Sequence, residues 1–146
     1  MPPPCTSRRH GVTLIELVLT MAILACASIA GVYAVHASLD HIATRDAIRS
    51  AGALMIRARD EAVALHTLVS VRVDTAAATL EVLTRTGSLR RLALGSIHGV
   101  VLTTTRDSIS FDLRGLGYGA ANLTLVARRG NAAETLVVSR LGRVRY

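Results

Sequence analysis

The sequence predicts an α+β fold: a long N-terminal helix, its first half crossing a membrane, packed through its second half on an antiparallel β-sheet domain. Three observations carry this. From Val12 to Val35 runs a stretch of 24 residues with a single charged side chain, Glu16. Helical spacing of apolar residues then continues, without a proline, to about His66. After Thr67 the pattern changes to short β-branched runs separated by turn residues.

As a helix, the stretch 12–35 is roughly 36 Å long at 1.5 Å per residue, enough to cross a hydrocarbon core of about 30 Å. It also explains a hydrophobic content of 51% and a mean hydropathy of +0.43, both high for a soluble protein. Arg8 and Arg9 precede it and by the positive-inside rule stay in the cytoplasm. The body beyond Val35 then faces outward, into the periplasm in a cell with two membranes. Residues 36–66 read as the amphipathic second half of the same helix. Leu39, Ile42, Ile48, Ala51, Met55, Ala58, Ala62 and Leu65 form its apolar stripe, with Arg45, Asp46, Arg49, Arg57, Asp60 and Glu61 between them. Gly31 and Gly52 weaken it locally by up to about 1 kcal/mol each.

Residues 67–146 form the β-rich domain. Strands are predicted at Leu68–Asp74, Thr79–Arg85, Leu89–Leu94, Val100–Thr105, Ser108–Leu113, Asn122–Arg128 and Thr135–Arg140. Turn residues such as Thr86-Gly87-Ser88 and Arg129-Gly130-Asn131 separate them, which suggests an antiparallel meander with one face on the helix. Cys5 and Cys26 both precede this domain, so it holds together by packing without an internal disulfide.

Three readings compete for the N-terminus. A cleavable signal peptide has an Ala25-Cys26-Ala27 site to offer, but its apolar region usually spans about 7–15 residues. Ile23-Leu24-Ala25-Cys26 loosely matches a lipoprotein site, though Cys26 reads more simply as a small apolar residue. Neither accounts for Glu16, an acid that is costly in lipid. Gly11-Val12-Thr13-Leu14-Ile15-Glu16-Leu17 closely resembles the type IV prepilin processing site, departing from it at Val12, where phenylalanine is usual. The resemblance implies a leader of residues 1–11, cleavage after Gly11 by the prepilin peptidase, and N-methylation of Val12. It further implies that Glu16 pairs with the terminal amine of a neighbouring pilin or pseudopilin subunit during filament assembly at the inner membrane. The helix macrodipole favours an acid at this end.

Catalytic chemistry is not evident. The five histidines (10, 36, 41, 66 and 98) are dispersed and show no paired ligand spacing, and no serine sits in a nucleophile elbow. No metal site or cofactor is expected. Gly115-Leu116-Gly117-Tyr118-Gly119-Ala120 superficially fits a nucleotide-binding pattern, but no helix follows it, and a flexible loop is the simpler reading.

The formal charge is +7, and all 17 cationic side chains are arginine. A GC-rich genome explains that bias; so does a phosphate-binding surface, because the guanidinium fork engages phosphate bidentately. From Arg85 onward ten arginines face three acids, which places the basic excess in the C-terminal part. There, Ile109-Ser110-Phe111-Asp112-Leu113-Arg114-Gly115, Leu123-Thr124-Leu125, Leu136-Val137-Val138-Ser139 and Leu141-Gly142-Arg143-Val144-Arg145 resemble the GspH/FimT family. That resemblance implies a non-catalytic minor subunit, either of a type II secretion pseudopilus or of a type IV pilus. Some FimT-like minor pilins bind DNA through a C-terminal G-R-x-R motif, which Gly142-Arg143-Val144-Arg145 fits. Arg143 and Arg145 at spacing two project to one side of a strand. Arg140, Arg128 and Arg129 would widen the patch, and Tyr146 would stack on a base. A solvated strand end explains the same residues.

Overall fold

In the computed structural model the described residues are 13–119 and 122–146. The chain divides into two compact units, Met1–His36 and Ala37–Tyr146. Helix α1, Leu14–Ala64, is continuous over 51 residues and belongs to both.

In the first unit the described helix is apolar and uncovered. Leu14, Ile15, Met21, Leu24 and Tyr33 are all exposed, and by length and composition the helix can cross a membrane. Its hydroxyls turn back on the backbone: Thr20 donates to the Leu17 carbonyl and Ser28 to the Leu24 carbonyl, each at 2.8 Å. In lipid that removes the cost of an unpaired polar group.

In the second unit α1 presents a narrow face of small residues. Ala47, Ala51, Ala58 and Ala62 are fully buried, as are Thr44 and Met55. The expected stripe is right at Ile48, Ala51, Met55, Ala58 and Ala62, but Leu39, Ile42 and Leu65 are exposed. From Ile42 to Ile48 is six residues, a turn of about 600°, so Ile42 lies about 120° away from the core face.

Eight strands and a short helix follow before the last strand: β1 Val69–Asp74, β2 Thr79–Thr84, β3 Gly87–Ala93, α2 Leu94–His98, β4 Val101–Thr104, β5 Ser108–Phe111, β6 Gly117–Tyr118, β7 Leu123–Arg129, β8 Ala132–Val138 and finally β9 Val144–Arg145. All pairings are antiparallel. The α+β class holds, but a single meander does not. The strands form a five-stranded sheet, β3-β2-β1-β5-β6, and a four-stranded sheet, β4-β7-β8-β9. The break falls at α2, whose end is capped by Gly99 in the left-handed conformation. That turn sends the chain into the second sheet, and β5 then returns to pair with β1. Phe111, Leu80, Leu123, Leu125 and Leu136, all fully buried, carry both sheets and the helix into one core.

Two local devices fix the ends. His66, at φ 48°, closes α1. The His66 N–H donates to the Val63 carbonyl and the Thr67 N–H to the Ala62 carbonyl, the paired bonds of a Schellman motif with histidine where glycine is usual. The segment expected to be a flexible loop is tied down instead. The Asp112 carboxylate accepts from the N–H groups of Arg114 and Leu116 at 2.9 and 2.8 Å. Gly117 and Tyr118 then join the first sheet as β6; Ala120 lies outside the described residues.

Replacing His66 by glycine should remove the left-handed strain and raise stability by up to about 1 kcal/mol in urea unfolding of residues 37–146. Phe111→Ala should lower it by about 3–5 kcal/mol in the same assay.

Candidate functional site

The residues expected to carry function fall in two regions, one at each end of the chain. At the first, Thr13 caps α1: its hydroxyl accepts from the Glu16 N–H at 3.3 Å, and its carbonyl accepts from the Leu17 N–H at 3.1 Å. Thr13-Leu14-Ile15-Glu16 therefore has the spacing of a capping box, with Glu16 at its third helical position. This local role for Glu16 was readable from the threonine three residues before it. It is compatible with a second role, because Glu16 is exposed and lies in the first turn, where the dipole favours an acid. Gly11 and Val12 lie outside the described residues. Cys26 is a free, exposed thiol on the apolar helix.

The second region is the β8–β9 hairpin. Ser139 N–H donates to the Arg143 carbonyl, and Gly142 N–H donates to the Ser139 carbonyl. Gly142 sits at φ +70°, and a Cβ there would fall 2.7 Å from the Gly115 carbonyl oxygen. The glycine of the motif thus answers a backbone demand. Arg143 and Arg145 are exposed on either side of half-buried Val144, but only Arg145 belongs to β9, so Arg143 lies just outside the strand on which the spacing placed both. Arg59, on α1, lies against both Gly115 and Gly142, its Nε 3.2 Å from a Cβ placed at Gly142. Arg140 is adjacent through its backbone: its carbonyl accepts from Gly117 N–H at 2.8 Å, linking the two sheets. Arg59, Arg140, Arg143 and Arg145 are therefore grouped about one turn. Arg59 was not legible as a member, because it lies 83 positions before Gly142 in the sequence.

The other expected members lie elsewhere. Arg128 shares the outer face of the four-stranded sheet with Arg145, but sits about 14 Å along the strand and about 10 Å across from it. Arg129 is engaged structurally: its Nε pairs with the Asp40 carboxylate at 3.0 Å and its guanidinium donates to the His98 carbonyl at 2.8 Å. Tyr146 lies against α1, with Cε1 2.9 Å from a Cβ placed at Gly52, although the residue remains 69% exposed.

Residues 6–32 match the prokaryotic N-terminal methylation motif. The described structure is similar to crystal structures of the type IV minor pilin FimU of Pseudomonas aeruginosa. One crystal form gives a TM-score of 0.59 at 17% identity, covering 70% of this chain and 86% of that one. It is also similar to the minor pseudopilin EpsH from the type 2 secretion system of Vibrio cholerae, with a TM-score of 0.56 at 15% identity, covering 70% and 94%. The chain has a type IV pilin-like fold. No curated protein matches it in sequence. The proteins that share this pilin-like fold are structural subunits, not enzymes. Among the described residues no three His, Cys, Asp or Glu side chains are grouped to hold a metal ion.

Gly142→Ala should lower the stability of this pilin-like domain by at least about 1 kcal/mol, because the left-handed turn and the Gly115 carbonyl both oppose a side chain. A double-mutant cycle on Asp40 and Arg129 should return a coupling below about 1 kcal/mol that shrinks with salt, since both side chains are partly solvated.

Proposed function

We propose that the chain is a minor pilin or pseudopilin, a structural subunit of a type IV pilus or a type II secretion pseudopilus. The observation that carries this reading is an acid in the first turn of an exposed apolar helix, within a segment that matches the methylation motif. The prepilin peptidase cuts after Gly11 and the new terminus, Val12, is methylated. Residues 12–35 then hold the subunit in the inner membrane, residues 36–66 continue the helix, and residues 67–146 form a periplasmic β-rich domain. An unpaired carboxylate in lipid is unfavourable. A neighbouring subunit's terminal amine relieves that cost only when it docks in register, so Glu16 both drives assembly and sets its spacing.

Mass spectrometry of the mature protein should find a chain beginning at methylated Val12. A chain beginning at Met1 or Cys26 would sink the proposal. Glu16→Ala should leave the protein in the membrane but remove it from the filament; undiminished incorporation would rule out assembly through this residue.

A second reading, DNA binding by a FimT-like minor pilin, is favoured by one observation: Arg59, Arg140, Arg143 and Arg145 group about the Gly142 turn. Arg128 belongs to the same sheet face at a distance, and Arg129 enters only if it leaves Asp40. On this reading a fragment of residues 37–146 retards labelled duplex, and affinity falls steeply with salt. Arg143→Ala with Arg145→Ala should reduce the slope of log K against log salt by about 2. An unchanged slope and affinity would exclude the motif.

A further inference from the structure

The first sheet ends at β3, whose outer edge has no strand beside it among the described residues, and Gly87 to Arg91 are all exposed. Between this edge and α1 runs an open groove of about 310 Å³. Ala53, Leu54 and Leu92 form its apolar floor, and Arg57, Arg90 and Arg91 its rim. None of the three arginines forms an ion pair among the described residues. The register sets their directions. Arg90 lies opposite Val82, on the core side of the sheet, whereas Arg91 lies opposite Glu81, on the outer side. A cation on each face of a free edge strand, beside an apolar trough, matches an extended segment with acids on its outer face and, on its groove face, acids flanking central apolar residues.

We propose that this groove receives an extended acidic segment of a partner protein, which adds to β3 as a further strand. Free backbone groups of β3 supply the main-chain hydrogen bonds, the floor takes the apolar side chains, and the arginines select for acids. A second copy of this chain is a poor occupant: residues 37–146 hold fifteen arginines against nine acids, so two such bodies repel. A DNA duplex is also a poor fit, because it uses neither the apolar floor nor the strand edge. Charges on an edge strand also serve simply to prevent aggregation; that role predicts no ligand at all.

The full chain in detergent micelles tests this with a fluorescent octapeptide, Glu-Glu-Val-Glu-Val-Glu-Glu-Glu, whose groove face carries two valines between two glutamates. A lysine–valine octapeptide and a short DNA duplex serve as competitors. The glutamate peptide should bind, slow amide exchange at Leu89–Leu92, and resist displacement by either competitor. Arg57→Glu with Arg90→Glu should weaken binding by about tenfold or more; Arg57→Gln with Arg90→Gln should weaken it less, with an unchanged circular dichroism spectrum. Absence of binding would assign the arginines to edge protection alone. Equal binding of the lysine peptide, displacement by duplex, or no response to either double variant would overturn the proposal.

Discussion

The close approach of the strands to the inner face of α1 is the constraint on which the domain depends. Ala47, Ala51, Ala58 and Ala62 are fully buried there, while Phe111, Leu80, Leu123, Leu125 and Leu136 supply the bulk from the sheets. A helix face of methyl groups buries little area itself, so its stability comes from letting large strand residues reach across it. The same economy recurs at the margins of the helix. Gly52 gives the Tyr146 ring its place, and Gly115 and Gly142 give Arg59 its place. Enlarging Gly142 is opposed by the Gly115 carbonyl and enlarging Gly115 by Arg59 and Val63, whereas at Gly52 the neighbour is the tip of an exposed C-terminal tyrosine.

The long helix and the seven main strands were legible because each follows from a local signal. A lipid-length apolar run, a stripe at Ile48, Ala51, Met55, Ala58 and Ala62, and β-branched runs between turns all operate within a few residues. What was not legible depends on contacts distant in sequence. The division into two sheets rests on β5 returning to β1, and no pattern within either strand announces its partner. The stop at His66 lacks the glycine that usually marks it, since the bonds to Ala62 and Val63 close the helix despite the side chain. Arg129 reads as one cation in a basic run, and only the fold places Asp40 beside it.

The C-terminal motif shows how a short pattern separates into parts with different causes. Gly142 is required by a left-handed turn packed against Gly115, whatever the domain binds. Arg143 and Arg145 meet no such structural demand: both are exposed, Arg145 on a two-residue strand at the edge of its sheet and Arg143 just before it. Their chemistry is therefore available to a ligand, and Arg59 and Arg140 bring further positive charge to the turn. The Thr13–Glu16 pair divides the opposite way, since the bond from Glu16 N–H to Thr13 leaves the carboxylate itself uncommitted in that contact.

Position around the helix keeps the two cationic regions apart. Leu54 and Arg57 border the β3 groove, whereas Gly52 meets the C-terminal Tyr146 and Arg59 borders the Gly142 turn. Each pair is offset from the other by two residues, which at 100° per residue puts them about 160° apart around α1. One side is a trough with an apolar floor and a free strand edge; the other is a turn with exposed guanidinium groups. An extended acidic chain and a phosphate backbone make different demands, and these two flanks meet them separately. Substitutions at Arg57 and Arg90 therefore probe one surface without disturbing the packing of Arg59 against Gly142, and changes at Arg143 and Arg145 leave the β3 edge intact.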